Sequence, residues 1–131
     1  MAHKFEAQLE KWHQFIASGD AAILSELLAE EAVFRSPVAW KPKEGKAATM
    51  LYLVSATQVL QNFNYHRTFE SDDSVGLEFS ATVGEFTVKG IDLIRFDSNG
   101  KIIDFEVMVR PATGLQALGA EMGKRLAQFQ S

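Results

Sequence analysis

One acidic residue lies inside a strongly apolar segment of the chain. Asp92 stands between Ile91 and Leu93 in the stretch KGIDLIRF, which predicts a β-strand. A carboxylate among apolar side chains is unfavourable unless it is hydrogen bonded, ion paired or used by a ligand. Two interpretations are therefore open. Asp92 is either bonded to other groups of the protein, or it serves a binding or catalytic site.

The other residue types that could do chemistry narrow the choice. The chain has no cysteine, which excludes disulfides, zinc–thiolate sites and a thiol nucleophile. No two histidines stand at metal-ligand spacing with a carboxylate, so we predict no metal site. We expect His13 to face away from the core and His66 to be a packed or surface residue of a strand. The glycines form no phosphate-binding loop, so a nucleotide site is not expected. We predict no cofactor.

Charge and hydropathy limit the classes of partner and the cellular location that we expect for the protein. The net charge is −4 over 131 residues and the basic residues are scattered, whereas a nucleic-acid-binding protein usually shows a basic stripe. No apolar run is long enough to span a membrane, and the stretch MAHKFE is too polar for a signal peptide. We expect a cytoplasmic protein that binds neither nucleic acid nor membranes, folded as a single domain over residues 1–131.

The first half of the chain is predicted to be mainly helical. Apolar residues recur at helical spacing from Phe5 to Ile16, which predicts an amphipathic helix. Gly19 suits the end of this helix, and Asp20 suits the cap of a short second one. After an extended segment around Val33, a third and largely buried helix is predicted from about Gly45 to Gln61.

The second half changes to the short period of β-strands. Strands are predicted in NYHRTFES, SVGLEFSATV, EFTVKGIDLIRF and KIIDFEVMV, with the last two joined by a turn at DSNG. Because the links are short, the sheet is expected to be antiparallel. Beyond Pro111, apolar residues at helical spacing predict a C-terminal helix. Helices followed by a run of strands give an α+β domain.

The last two strands are apolar on both faces. Ile91 and Leu93 alternate with Ile94 and Phe96, whereas a sheet with one solvated face shows a cleaner alternation. The helices cover one face. We expect a second subunit to cover the other, which gives a homodimer built through the sheet. The alternative is that the C-terminal helix covers that face alone.

The order of elements, with SGDAAILSELLAEEAVFRSPV and KGIDLIRFDSNGKI, resembles the nuclear transport factor two-like superfamily. This superfamily includes SnoaL-like polyketide cyclases and ketosteroid isomerases. The resemblance covers nearly the whole chain. It implies a cone-shaped α+β fold, in which three N-terminal helices pack on a strongly curved antiparallel sheet and a C-terminal helix follows. These motifs are specific for the fold and not for a function, because one fold hosts many chemistries.

Ketosteroid isomerases offer a comparison of catalytic residues. They have a Tyr on the first helix, an Asp base before a Pro, and a second Asp that is kept protonated. The resemblance places Asp92 on the protonated Asp, Trp12 on the Tyr and Ser36 on the base. Ser36 has no useful basicity near neutral pH, and Trp12 can donate a hydrogen bond but cannot exchange a proton. Steroid isomerisation by that mechanism is therefore not expected.

The resemblance also implies an apolar pocket around Asp92 inside the cone. Its few polar groups would be Asp92, Ser36, the Tyr52 hydroxyl and the Trp12 indole, and small-molecule sites typically have this composition. Burial there would raise the pKa of Asp92, which could then donate a hydrogen bond to a ligand or act as a general acid or base. The remaining predicted pocket residues are Phe15, Phe34, Leu77, Phe79, Ile94, Phe105, Val107 and Val109.

Three functions remain open from the sequence. The first is a domain that binds a compact apolar molecule with one polar oxygen. The second is an enzyme, a cyclase, isomerase or hydrolase, that uses Asp92 as acid or base while Trp12 and Ser36 position the substrate. The third is a protein-interaction module whose cone is filled by its own side chains. The C-terminal helix either packs on the domain or forms a lid over the pocket, with Met122 as an adaptable contact.

Overall fold

The structure is a computed structural model that describes residues 4–128. The single domain was predicted over residues 1–131, so both of its ends lie outside the described residues. The first three residues of the stretch MAHKFE also lie outside them. The helices are α1 (Glu6–Ser18), α2 (Ala21–Leu27), α3 (Lys46–Val59) and α4 (Ala112–Ala127). The strands are β1 (Leu28–Arg35), β2 (Lys43–Glu44), β3 (Gln61–Glu70), β4 (Ser74–Val83), β5 (Phe86–Phe96) and β6 (Ile102–Arg110). Within residues 4–128, no helix combines the length and apolar character that crossing a membrane requires.

Local sequence sets the ends of the first two helices. Gly19 has a left-handed backbone with φ of 71°, and its N–H donates to the carbonyl of Phe15 at the end of α1. The Asp20 side chain accepts a hydrogen bond from the N–H of Ala22 and caps α2. Both predicted caps are confirmed. The third helix is slightly shorter than predicted, because Leu60 already has an extended backbone.

The six strands form one sheet in the order β2-β1-β6-β5-β4-β3. The α+β class is confirmed, with helices packed on a sheet and a C-terminal helix. Neighbouring strands run antiparallel except β1 and β6, which are parallel. This pair departs from the predicted antiparallel arrangement because β1 and β6 are not joined by a short turn. One helix and four strands of the sheet lie between them in the chain.

One face of the sheet carries the core and is called the inner face below. In β5, Asp92, Ile94 and Phe96 are buried, as the alternation of the strand predicts. Asp92 pairs with Val107 and Ile94 with Phe105 on β6, and paired residues project on the same side of a sheet. Helices α1 and α2 pack against this face and complete the core.

The opposite, outer face has a charged part and an apolar part. Glu78 of β4 is paired with Arg67 and Lys89, and the Arg67 hydrogen bonds lower the pKa of Glu78 to about 2. Beside them, Ile91 pairs with Met108, which is 49% exposed. The predicted alternative in which the C-terminal helix covers this face is wrong, because α4 packs against the inner face through Leu118.

Candidate functional site

A cavity of about 290 Å³ lies between the inner face of the sheet and helices α1, α3 and α4. Its wall is mostly apolar. This volume is at the lower end of the range for small-molecule sites, so the cavity suits a compact ligand. The side chains that bring a polar or charged group to its lining are Trp12, Ser36, Lys43, Tyr52, Thr57 and Asp92.

The structure brings most of the predicted pocket residues to this cavity. The predicted residues that line it are Trp12, Phe34, Ser36, Tyr52, Phe79, Asp92, Phe105, Val107 and Val109. Phe15, Leu77 and Ile94 do not line it, which corrects their predicted place in the pocket. They belong to the buried core cluster, because helices α1 and α2 fill the part of the interior that these side chains reach.

Helix α4 supplies one wall of the cavity, whereas the sequence left open whether this helix only packs on the domain or forms a lid with Met122 as a contact. Leu118, Met122 and Leu126 line the cavity along one side of this helix. Gly119 lies against Val38, with a side-chain carbon of Val38 3.1 Å from the position that a Cβ atom would take. A larger residue at this position would press on the loop after β1. Helix α4 therefore packs on the domain and also encloses the cavity.

Hydrogen bonds connect Asp92 to two aromatic side chains of the inner face. The Tyr65 hydroxyl donates to Oδ2 of Asp92 at 2.6 Å, and the Trp12 indole N–H donates to the Tyr65 hydroxyl oxygen at 2.8 Å. An indole can only donate, so the Tyr65 oxygen accepts from Trp12 and the single hydroxyl hydrogen of Tyr65 is available for Asp92. Trp12 therefore acts on Asp92 through Tyr65.

Tyr65 is the main residue of this site that the sequence prediction missed. It pairs with Phe79 on β4, while Asp92 lies on β5, so the two backbones are separated by two steps of the sheet. Two steps amount to roughly 10 Å in a flat sheet. The only available signal was that a buried carboxylate needs a donor and that Tyr65 is a hydroxyl-bearing residue on a predicted strand.

The burial of Asp92 controls the ionisation of this site. Burial raises the pKa of Asp92 from 3.8 to about 7, and the hydrogen bond from Tyr65 opposes the rise. Burial and the neighbouring Asp92 carboxylate also raise the pKa of Tyr65 well above its usual value of 10.0. Near neutral pH, Asp92 is therefore present in both protonation states while Tyr65 keeps its proton.

The second carboxyl oxygen of Asp92, Oδ1, takes no part in the hydrogen bond with Tyr65. Among residues 4–128 it has no hydrogen-bond partner, yet every fully buried side-chain nitrogen and oxygen in this range has one. Because Asp92 lines the cavity, this oxygen meets the open space there. When Asp92 is neutral, its proton on Oδ1 can donate to a carbonyl. When Asp92 is ionised, Oδ1 can accept a hydrogen bond from a hydroxyl.

Ser36 lines the cavity without a base beside it. Its hydroxyl oxygen accepts a hydrogen bond from the N–H of Val38 at 3.1 Å, which shapes the turn after β1. Asp92 is the one carboxyl group among the described residues that line the cavity. The site therefore offers a single group that can exchange a proton near neutral pH.

The two predicted non-catalytic histidines lie outside the cavity lining. His13 is exposed and its ring approaches the edge of Tyr65, with 5.4 Å between the ring centroids. Partial burial there lowers the pKa of His13. His66 is exposed on β3 and hydrogen bonds with Ser80 at 2.8 Å. Among residues 4–128, no cluster of three or more His, Asp or Glu side chains could hold a metal ion.

Comparisons with known proteins agree with this architecture. Residues 9–105 match the SnoaL-like domain. The chain belongs to the SnoaL-like domain family. This family has the nuclear transport factor two-like fold, so the resemblance noted from the sequence is confirmed. A comparison of the SnoaL-like chain with curated proteins found no match.

Solved structures give three further comparisons for this SnoaL-like domain. A steroid delta-isomerase from Pseudomonas aeruginosa is 51% identical with a TM-score of 0.93, covering 99% of this chain and 96% of that chain. A protein with a cystatin-like fold from Silicibacter pomeroyi is 32% identical with a TM-score of 0.87. The match covers 92% of this chain and 85% of that chain. An NTF2-like protein from Mesorhizobium loti is 22% identical with a TM-score of 0.71, and the match covers 85% of this chain and 97% of that chain. This third similarity shows the fold alone.

Proposed function

We propose that this SnoaL-like domain binds a compact apolar molecule with one polar oxygen, and that this oxygen contacts Oδ1 of Asp92. The observation that carries the proposal is the Asp92 carboxyl group, 5% exposed on the wall of a mostly apolar cavity. Tyr65 holds one of its oxygens, and the other is left for a ligand. A polar group in such surroundings is unfavourable without a partner, and a ligand oxygen supplies one.

The cavity also favours binding over the interaction module considered from the sequence. A cone filled by its own side chains would leave no space beside Asp92, whereas the wall encloses about 290 Å³. The aromatic rings of Trp12, Phe34 and Phe105 stand in contact along this wall, with centroids 5.0 and 6.3 Å apart. Such a surface suits a flat or ring-shaped apolar ligand.

A pair of related ligands tests this proposal. A naphthol carries a hydroxyl that can meet Asp92, and naphthalene has the same apolar body without an oxygen. We expect the protein to bind the naphthol roughly tenfold more tightly, which is the usual size of one buried hydrogen bond. The variant Asp92→Leu should lose this preference while it still binds naphthalene. Equal affinities in the unmodified protein, or a preference that persists in Asp92→Leu, would reject the role of Asp92.

An isomerase-type enzyme is the second candidate. It is supported by the 51% identity to a steroid delta-isomerase, and by the pKa of about 7 for Asp92, which suits proton transfer near neutral pH. Ser36 does not supply a second base, because a serine hydroxyl has no useful basicity near neutral pH. A catalyst of this kind would therefore have to use Asp92 both to remove and to return a proton.

An assay with an unsaturated ketosteroid tests the second candidate. Isomerisation is followed by the rise in absorbance of the conjugated enone. Turnover that is lost in Asp92→Asn, in a protein that still binds the steroid, supports the catalytic role. Turnover that is unchanged in Asp92→Asn rejects it. If the unmodified protein binds the steroid without converting it, the binding proposal stands alone.

A homodimer through the outer face of the sheet is part of the same proposal. Ile91 and Met108 form an adjacent apolar pair there, and Met108 is 49% exposed. Helix α4 packs on the other face and leaves this one open. A second copy of the chain, related by a two-fold axis, would bury these side chains against their equivalents.

A further inference from the structure

We propose that Lys43 provides the cavity with a site for an anionic group. The ligand is then an apolar molecule with a polar oxygen at one end and a carboxylate at the other. This inference rests on the proposed binding function, and it adds the chemical class of the ligand. It is carried by the position of the Lys43 ammonium and by the absence of a carboxylate partner for it.

Lys43 lies on the edge strand β2 and projects towards the cavity. It pairs with Phe34 of β1, so the two side chains share a face of the sheet, and Phe34 is buried. Lys43 itself is half-buried and lines the cavity. Its Nζ atom is 5.8 Å from the centroid of the Tyr52 ring. This contact holds the ammonium beside the aromatic wall.

The Lys43 ammonium has no carboxylate within ion-pair distance in the part of the chain that the structure describes. The nearby Lys46 differs, because it is paired with Glu30 at 3.7 Å. An ammonium at the edge of an apolar cavity attracts an anion more strongly than one in open water, since the local dielectric constant is lower. Lys43 is therefore available to a carboxylate that enters the cavity.

The distance between Lys43 and Asp92 sets the length of the ligand. Lys43 pairs with Phe34, which pairs with Phe105 of β6, which pairs with Ile94 of β5. Asp92 lies two residues from Ile94 on the same inner face. Three steps between strands amount to roughly 14 Å, and the long lysine side chain shortens the gap. A molecule of two or three fused rings reaches from one group to the other.

Aromatic rings fill the space between the two polar ends. The Tyr52 ring stacks on Phe34 with centroids 5.3 Å apart, and Phe34 and Trp12 both contact Phe105. The apolar body of the ligand would lie along these rings while its ends meet Lys43 and Asp92. The alternative is that Lys43 only protects the edge of the sheet from pairing with another chain, a common use of edge lysines. That role predicts no preference for acids.

A hydroxynaphthoate and its methyl ester distinguish these two roles. Both carry the hydroxyl for Asp92 at one end of the rings, and only the acid carries a charge at the other. We expect the unmodified protein to bind the acid roughly five- to tenfold more tightly than the ester, with a preference that weakens in high salt. The variant Lys43→Gln should remove the preference for the acid over the ester.

The neighbouring Lys41 supplies a matched control. It is exposed and does not line the cavity, so Lys41→Gln makes the same change of charge without touching the site. The acid preference should persist in this variant. Lys43→Met serves as a second variant, and thermal unfolding checks that each protein is folded.

The outcomes separate this inference from the proposed function. Equal affinity for acid and ester, or a preference that persists in Lys43→Gln, overturns the role of Lys43. The proposed function stands in that case if binding of the naphthol still depends on Asp92. If neither compound binds and the naphthol shows no dependence on Asp92, both proposals are overturned.

Discussion

The Tyr65 hydroxyl donates a 2.6 Å hydrogen bond to Oδ2 of Asp92 from a strand two positions away in the sheet. This bond occupies one carboxyl oxygen and leaves the other for the cavity. Trp12 completes the arrangement by donating to Tyr65 from helix α1. These two consecutive hydrogen bonds fix the orientation of Asp92, which is the one carboxyl group among the described residues of the cavity wall.

The affinity for an apolar ketone should depend on the protonation of Asp92. Only the neutral acid can donate a hydrogen bond to a ketone oxygen, and the pKa of Asp92 is about 7. We expect the Kd of an acetylnaphthalene to be constant at lower pH and to rise up to tenfold per pH unit above about 7, until only apolar contact remains. Titrations across this range, with naphthalene as the control, measure it. An affinity for the ketone that stays constant across the range would contradict the assignment.

The free energy of unfolding should fall as the pH rises from the pKa of Asp92 in the unfolded chain to its pKa in the folded chain. Its pKa is raised from 3.8 to about 7, so the folded chain binds more protons than the unfolded chain in this range. The stabilisation from the neutral acid is complete below about pH 4, decreases towards pH 7 and is absent above it. The full difference is roughly 4 kcal/mol.

Asp92→Asn isolates this effect from the other titrating groups. The variant keeps a neutral side chain at all pH values, so its stability does not depend on the ionisation of this residue. The unmodified protein should therefore lose about 3 kcal/mol more of its free energy of unfolding than the variant does when the pH is raised from about 5 to about 9. Urea unfolding of both proteins at the two pH values gives the comparison. A difference that does not change with pH would mean that Asp92 is ionised throughout.

Tyr65→Phe should raise the pKa of Asp92 above about 7, because the hydrogen bond from Tyr65 is what lowers it. The variant also leaves the Trp12 indole without its acceptor, so some loss of stability is expected, on the order of 1–3 kcal/mol. The pKa can be followed by NMR titration of the Asp92 carboxyl carbon. Tyr52→Phe is the matched control, since Tyr52 lines the cavity without bonding to Asp92. A pKa that is unchanged in Tyr65→Phe would contradict the geometry.

The two tryptophans should report different environments. Trp12 is 2% exposed and lines the cavity, whereas Trp40 is 98% exposed. The variant Trp40→Phe, which keeps only Trp12, should emit at short wavelength and respond when the naphthol binds. The variant Trp12→Phe should show the emission of a solvated indole and respond little. A strong response from Trp40 alone would place the ligand outside the cavity.

The proposed homodimer should depend on the outer face of the sheet. We expect the unmodified protein to sediment as a species of twice 14.5 kDa at micromolar concentration. Met108→Glu places a charge beside Ile91 on this face and should shift the equilibrium towards the monomer. Trp40→Glu is the control, because Trp40 is 98% exposed in the loop between β1 and β2 and is not part of the Ile91–Met108 pair. A monomer in the unmodified protein would contradict the dimer.

Local features of the fold were predictable from the sequence. The cap at Gly19 and Asp20 follows from the conformations that these two residues favour, and the inward position of Ile94 and Phe96 follows from their spacing to Asp92. Each of these features depends on residues close together in the chain. The resemblance to the superfamily added the place of Trp12 beside the cavity.

Features that depend on distant parts of the chain could not be predicted in this way. Tyr65 reaches Asp92 across a strand, and no periodicity in the sequence describes how the sheet brings these side chains together. Leu77 and Ile94 face inward as predicted, yet the depth to which α1 and α2 fill the interior keeps them from the cavity. Lys43 was missed because a lysine in a short loop is usually solvated.

The most direct test of the account is a crystal structure of the protein with a naphthol bound. We predict that the ring system lies against Trp12 and Phe105 and that the hydroxyl oxygen is within hydrogen-bond distance of Oδ1 of Asp92, while Tyr65 keeps its bond to Oδ2. A naphthol bound elsewhere on the surface, or bound in the cavity with its hydroxyl turned away from Asp92, would contradict the central claim.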